Sequence, residues 1–123
     1  PTRDFNFVED TCAAFLEIAN SDDALGKVIN VASSFEISIG DTASLISELM
    51  GSSTNIVTDE QRLRPKNSEV NRLFGDNKLL RKLTSWSPKF GGYDGFKRGL
   101  SLTIDWFSNQ ANLSLYKRDN YTI

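Results

Sequence analysis

Arg3 and Arg64 are the residues of this 123-residue chain whose type best suits them to bind phosphate. A guanidinium group presents paired N–H donors that match the oxygens of a phosphate group. Arg3 lies in the segment T-R-D-F-N-F-V-E-D, and Arg64 lies in R-P-K-N-S-E-V-N-R-L-F-G-D. The two arginines are 61 positions apart (64 minus 3), so only the folded chain could bring both to one diphosphate.

Each arginine also has a simpler interpretation. Arg3 could pair with Asp4 or Asp10 at the surface, an interaction worth ~0–1 kcal/mol, and spacing alone favours that interpretation. Arg64 lies in a charged loop whose cations are usually only solvated, namely Arg62, Lys66 and Arg72.

Composition restricts the possible classes of protein. With 39% hydrophobic residues, the chain can bury the core of one globular domain. A net charge of -2 and a pI near 5.1 argue against nucleic acid as a partner. No apolar run is long enough to cross a membrane. The chain lacks histidine, which argues against histidine catalysis and histidine metal ligation. It has one cysteine, Cys12, which argues against a cysteine-based zinc cluster and an internal disulfide and predicts a cytoplasmic location.

The first half of the chain predicts two strands and two helices. Residues 5–8 and 27–31 have the aromatic and β-branched composition of strands. A helix between them would bury an apolar face that includes Cys12, together with Val8, Phe15, Leu16 and Ala19. Ser38 and Asp41 match a capping box at the start of a second helix, and Gly51 is placed to end it.

The second half predicts a short strand over residues 55–58, a polar loop over 59–69 and an extended segment over 70–74. Asp76 is a candidate N-cap for a helix through Leu83. A flexible connection is predicted by three glycines, Gly91, Gly92 and Gly95. An amphipathic helix is predicted over residues 96–107.

These elements predict an α/β fold: a small lobe of short strands and about four helices over residues 1–108, with a polar tail over 109–123. The lobe would lack a dinucleotide-binding Rossmann domain, because no G-x-G-x-x-G follows a strand. The first residue is Pro1 rather than methionine, so we expect a fragment of a longer chain.

The order of several motifs resembles the carboxy-terminal, substrate-binding lobe of extended short-chain dehydrogenases. The motifs are T-R-D-F-N-F-V-E-D, G-K-V-I-N-V-A-S, S-I-G-D-T-A-S-L-I, R-P-K-N-S-E-V and L-T-S-W-S-P-K-F. Within that superfamily, the chain is similar to NAD-dependent nucleotide-sugar epimerases and 4,6-dehydratases.

The resemblance implies that Arg3 and Arg64 bind the diphosphate of a nucleotide-diphosphate sugar. It implies that Glu69 binds the ribose hydroxyls, whereas an exposed surface acid is the simpler interpretation of Glu69. The parent enzyme would bind NAD through a dinucleotide-binding domain missing here, which would also supply the Y-x-x-x-K motif. This segment alone would therefore hold no cofactor or metal, contain no catalytic residue and be inactive. The alternative is a stand-alone, non-catalytic nucleotide-sugar binding or interaction module.

Overall fold

Short strands and helices alternate along the chain, of which the computed structural model describes residues 1–53, 55–57 and 70–116. The strands are β1 (Thr2–Asp4) and β2 (Glu36–Ser38). The helices are α1 (Val8–Ala19), α2 (Ile39–Leu49), α3 (Lys78–Leu83), α4 (Gly92–Ser108) and α5 (Gln110–Leu113), with a 3-10 turn at Asp22–Ala24. The predicted small α/β lobe is confirmed. Across the described ranges, no helix has both the length and the apolar character needed to span a membrane.

Strand β1 lies between two partners. On one side it pairs antiparallel with β2, with Arg3 opposite Ile37. On the other side residues 71–73 run parallel to it: the Thr2 N–H donates to the Asn71 carbonyl at 2.9 Å, and the Leu73 N–H donates to the Thr2 carbonyl at 3.2 Å. The predicted extended segment at 70–74 is therefore confirmed, and it forms the third line of backbone in this small sheet.

Two apolar clusters form the core on either side of this sheet. One joins α1 and α3 and contains Ala14, Leu80 and Trp86. The other joins β2, α2 and α4 through Ile37, Leu45 and Phe96. Burying a side chain such as Leu80 stabilises a fold by about 1.5–3 kcal/mol, so these clusters fix the helices around β1.

Helix α2 begins and ends as the sequence predicts. The Ser38 hydroxyl accepts a hydrogen bond from the Asp41 N–H at 2.9 Å and donates to the Asp41 carboxylate at 2.7 Å. The predicted N-cap at Ser38 is therefore confirmed, whereas the Asp41 carboxylate accepts the Ser38 hydroxyl and not its backbone N–H as in a full capping box. Gly51 follows the C-cap residue Met50 with φ of +60°, a conformation that glycine adopts without strain.

Helix α3 begins later than predicted, because its N-cap residue is Asn77 rather than Asp76. The Asn77 amide points away from the helix and donates to the Ala32 carbonyl at 2.8 Å. The Asp76 carboxylate still accepts the Lys78 N–H at 2.8 Å, so the aspartate supports the first turn from one position outside the cap.

The strand predicted at residues 5–8 is wrong. Pairing with β2 ends at Asp4, and α1 begins at Val8. The two phenylalanines between them pack on aromatic rings instead: Phe5 stacks on Phe96 at 5.7 Å between centroids, and Phe7 contacts Phe90 at 4.2 Å. Their aromatic character reflects core packing rather than a strand.

The strands predicted at residues 27–31 and 55–58 are also wrong, although Thr58 lies outside the described residues. Residues 27–31 nevertheless alternate as a strand would: Ile29 and Val31 pack on the core, whereas the Val28 side chain is 92% exposed. Within the described part of the chain, the backbone of residues 28–30 makes no hydrogen bond. A strand requires a partner, and no described segment supplies one here.

Helix α1 has the predicted extent but buries a different face. Asp10 and Ala14 are buried, whereas Phe15 and Leu16 are 66% and 68% exposed and Cys12 is exposed. The predicted burial of Cys12 is therefore wrong, because contacts with α3 and the following loop select the opposite side of the helix. We call Val8, Cys12, Phe15 and Leu16 the apolar face of α1.

Gly95 belongs to α4 rather than to a flexible connection. A Cβ atom there would lie 2.4 Å from the Phe90 carbonyl carbon, so only glycine permits this approach of the helix to the preceding loop. The predicted amphipathic helix over 96–107 is confirmed within α4. Helix α5 lies in the segment predicted as a polar tail, whose last described residue is Tyr116.

Candidate functional site

Arg3 lies at the centre of β1, where its half-buried side chain turns toward residue 70. Its Nη1 donates to the Thr2 carbonyl at 2.7 Å and to the Val70 carbonyl at 2.8 Å. These two bonds fix the plane of the guanidinium group against the edge of the small sheet.

The other two predicted binding residues, Arg64 and Glu69, lie outside the described residues. The structure therefore locates one of the three predicted residues directly. Val70 follows Glu69 in the sequence, so the guanidinium of Arg3 contacts the chain one position away from that acid.

Asp4 and Asp10, the alternative partners considered for Arg3, both accept hydrogen bonds from other residues. The Asp4 carboxylate accepts four hydrogen bonds: from the Ser33 N–H at 3.0 Å, the Ser33 hydroxyl at 2.6 Å, the Ser34 N–H at 3.0 Å and the Gly75 N–H at 3.2 Å. A carboxylate offers about four acceptor positions, so these donors fill its capacity. Asp4 thus joins β1 to the loops at residues 33–34 and 75.

Asp10 is a buried carboxylate, 2% exposed, in the first turn of α1. It accepts the backbone N–H groups of Lys89 and Phe90, each at 2.9 Å. The Asp10 carbonyl also accepts the indole N–H of Trp86 at 2.9 Å. Asp10 therefore holds α1 to the loop before α4, and its role is structural.

Arg72, which sequence considerations placed among solvated loop cations, forms a bidentate ion pair with Glu36. Its Nε lies 2.8 and 2.9 Å from the two carboxylate oxygens, and its Nη2 lies 2.7 Å from Oε2. The Thr2 hydroxyl donates to the same carboxylate, and the Arg72 guanidinium lies over the Phe74 ring, 5.1 Å from its centroid. No sequence signal identifies this pair, because only the fold makes residues 36 and 72 neighbours.

The hydrogen bonds from Arg72, with a further one from Thr2, lower the pKa of Glu36 from 4.5 to about 2. A carboxyl whose pKa falls on folding stabilises the native state above its unfolded pKa, and that contribution is lost as pH falls through the folded value. The Glu36 contribution should therefore be complete above about pH 4.5 and disappear by about pH 2.

We expect Glu36→Gln to flatten the loss of stability between pH 5 and pH 2. Urea unfolding across that range measures the effect, and Glu9→Gln, which removes an exposed acid on α1, is the matched control. Equal pH slopes for the wild-type chain and Glu36→Gln would contradict the assignment.

The glycines at the start of α4 do not fit a dinucleotide site, which needs a glycine-rich turn between a strand and a helix. A Cβ on Gly91 would lie 3.0 Å from Pro88, and one on Gly95 would meet the Phe90 backbone, so protein atoms already occupy the space beside both. The connection from β1 to α1, residues 5–7, contains no glycine. Neither connection therefore forms the glycine-rich strand-to-helix turn of a dinucleotide site.

Two of three comparisons with known proteins relate the chain to others. The family model of GDP-mannose 4,6 dehydratase matches residues 1–98. The crystal structure of the Bordetella bronchiseptica enzyme WbmF in complex with NADH superposes with a TM-score of 0.69 at 32% sequence identity. That superposition covers 94% of this chain and 31% of the WbmF chain, so the chain spans about a third of the length of that enzyme. Comparison with curated proteins gave no match.

Proposed function

Because the chain belongs to the GDP-mannose 4,6 dehydratase family, we propose that it is the substrate-binding segment of an NAD-dependent nucleotide-sugar 4,6-dehydratase or epimerase. The observation that carries the proposal is the placement of Arg3. Its guanidinium is held on the central strand and contacts the residue that follows Glu69. Glu69 itself lies outside the described residues, so its role beside Arg3 is part of the proposal.

In this proposal, Arg3 and Arg64 bind the diphosphate, and Glu69 accepts hydrogen bonds from the ribose hydroxyls. These contacts would hold the hexose in position for a reaction that other residues of the parent enzyme catalyse. The segment itself would supply no catalytic residue. A cytoplasmic location stays a prediction, which rests on the single cysteine of the chain.

NAD would bind a dinucleotide-binding domain that also covers this segment. NADH is bound to WbmF, of which the chain matches only 31%. Two surfaces support such a partner domain. One is the apolar face of α1, and the other is the exposed Val28 on the backbone of residues 28–30, which pairs with no other described segment. Apolar side chains grouped in this way usually mark an interface.

The exposed surface also favours the alternative, an interaction module without catalysis. A stand-alone nucleotide-binding module would bind GDP or UDP as the isolated chain. Calorimetric titration of the isolated chain with GDP, UDP and TDP tests the stand-alone binding module. No binding at millimolar nucleotide would exclude that module.

We expect Arg64→Ala and Arg3→Ala each to weaken nucleotide-diphosphate binding by about 10- to 100-fold. The reason is that a hydrogen bond to a charged group contributes about 1.5–3 kcal/mol, and 1.4 kcal/mol is tenfold in affinity. Calorimetry on the parent protein measures the change, and Arg81→Ala, an exposed arginine on α3, is the control.

Arg64→Ala should leave the thermal unfolding midpoint unchanged. If affinity is equal in Arg64→Ala, Arg3→Ala and the Arg81→Ala control, the proposed diphosphate site is wrong. If Arg64→Ala instead lowers stability as much as affinity, Arg64 has a structural role.

A further inference from the structure

The hydrogen-bonding partner of Arg3 is itself held by few backbone contacts. The Val70 carbonyl belongs to a segment that is joined to β1 by the Thr2–Asn71 and Leu73–Thr2 hydrogen bonds. Two such bonds at the edge of a sheet do not fix an exposed segment by themselves, because edge backbone opens readily.

The Arg72–Glu36 ion pair supplies the missing constraint. Glu36 lies on β2, Thr2 on β1 and Arg72 on the parallel segment, so the carboxylate of Glu36 links all three lines of backbone on one face of the sheet. The ring of Phe74 covers the guanidinium of Arg72 from another side. A bidentate pair with a stacked arginine restricts both distance and orientation, which a lysine could not reproduce.

We propose that Arg72 is a positioning residue for Arg3: by fixing residues 70–73 against β1, it holds the Val70 carbonyl that orients the guanidinium of Arg3. This inference rests on the proposed function, in which Arg3 binds the diphosphate. The proposal assigns Arg72 no direct contact with phosphate, because Glu36 offsets its charge and accepts hydrogen bonds from its Nε and Nη2. Arg72 thus acts on nucleotide affinity only through Arg3.

The test combines Arg72→Met, which keeps the length of the side chain, with the same substitution in an Arg3→Ala background. The matched control is Lys97→Met, which removes another exposed ion pair, that of Lys97 with Glu48 at 3.1 Å between α4 and α2. Calorimetry with GDP and UDP on the parent protein gives the dissociation constants. Urea unfolding of each variant shows whether the folded population is equal.

We expect Arg72→Met to weaken binding about three- to tenfold and Lys97→Met to change it less than twofold. In the Arg3→Ala background, Arg72→Met should cause no further loss, because two residues that act through one contact are not additive. Equal losses in both backgrounds would overturn the inference, as would unchanged affinity in Arg72→Met. If Arg72→Met fails to fold, Glu36→Gln removes the charge of the pair instead and carries the same expectations.

A second measurement does not depend on nucleotide. In the chain with ¹⁵N-labelled arginine, the side-chain signals of Arg3 should be sharp in the wild type and broadened in Arg72→Met, but unchanged in Lys97→Met. Unchanged Arg3 signals in Arg72→Met would overturn the positioning role. If the signals broaden as expected but Arg3→Ala binds nucleotide normally, the proposed function fails while the positioning contact stands.

Discussion

Asp10→Ala is expected to destabilise the fold by about 2–5 kcal/mol, because it leaves two partly buried backbone N–H groups without their acceptor. The carboxylate of Asp10 is buried and accepts the N–H groups of Lys89 and Phe90. A domain of this size has a total stability of about 5–15 kcal/mol, so the loss would remove a large fraction of that stability. Urea unfolding followed by circular dichroism measures it.

Two further variants show whether the acceptor oxygens of Asp10 are responsible. Asp10→Asn keeps one acceptor oxygen and should lose less stability than Asp10→Ala. Glu9→Ala removes the neighbouring exposed acid of the same helical turn and should change stability by less than about 0.5 kcal/mol. If Asp10→Ala is as stable as Glu9→Ala, the buried hydrogen bonds do not support the fold.

Gly95→Ala is the second large effect that we expect, a loss of about 1–3 kcal/mol from overpacking. The added Cβ would lie 2.4 Å from the carbonyl carbon of Phe90 and 2.8 Å from its Cα, and backbone atoms cannot rotate away as a side chain could. Helix α4 would have to move from the loop, which also bears the two N–H groups bound by Asp10.

Gly40→Ala, in α2, provides the matched control for Gly95→Ala. Its Cβ would find only the Ser38 hydroxyl, at 3.8 Å, which is an ordinary contact. Alanine is favoured over glycine inside a helix, so this variant should gain about 0.5–1 kcal/mol. Thermal unfolding of both variants should therefore give shifts of opposite sign, and shifts of the same sign would contradict the close approach of Gly95 to Phe90.

Local chemistry made both ends of helix α2 predictable from the sequence. The Ser38 N-cap and the stop at Gly51 involve residues three positions apart or a single φ angle, and both were confirmed. The family resemblance was confirmed for the same reason, because short motifs in a fixed order persist in the sequence itself.

Features that depend on distant partners were not predictable. Periodicity showed that α1 has an apolar face, but not that the face would be exposed while Asp10 is buried. Residues 27–31 have the composition of a strand, yet a strand forms only beside another, and the described chain offers none at that place.

In the candidate site too, a local motif was predictable from the sequence, whereas a contact between distant residues was not. Arg3 was identified from its motif, whereas Arg72 was grouped with solvated cations, because its partner Glu36 is 36 positions away. Only the register of β1 with β2 brings these side chains together. The predicted binding roles of Arg3, Arg64 and Glu69 stay predictions.

The burial of Asp10 also has a consequence for the order in which the chain folds as it is synthesised. Its partners Lys89 and Phe90 are 79 and 80 positions away, so α1 is complete long before its carboxylate can receive both N–H donors. From Ala19 to Phe90 there are 71 positions (90 minus 19), which take roughly 4–14 s to translate at about 5–20 residues per second. During those seconds the Asp10 carboxylate lacks both N–H donors, so the contact that joins α1 to the loop before α4 can form only after residue 90 has been synthesised.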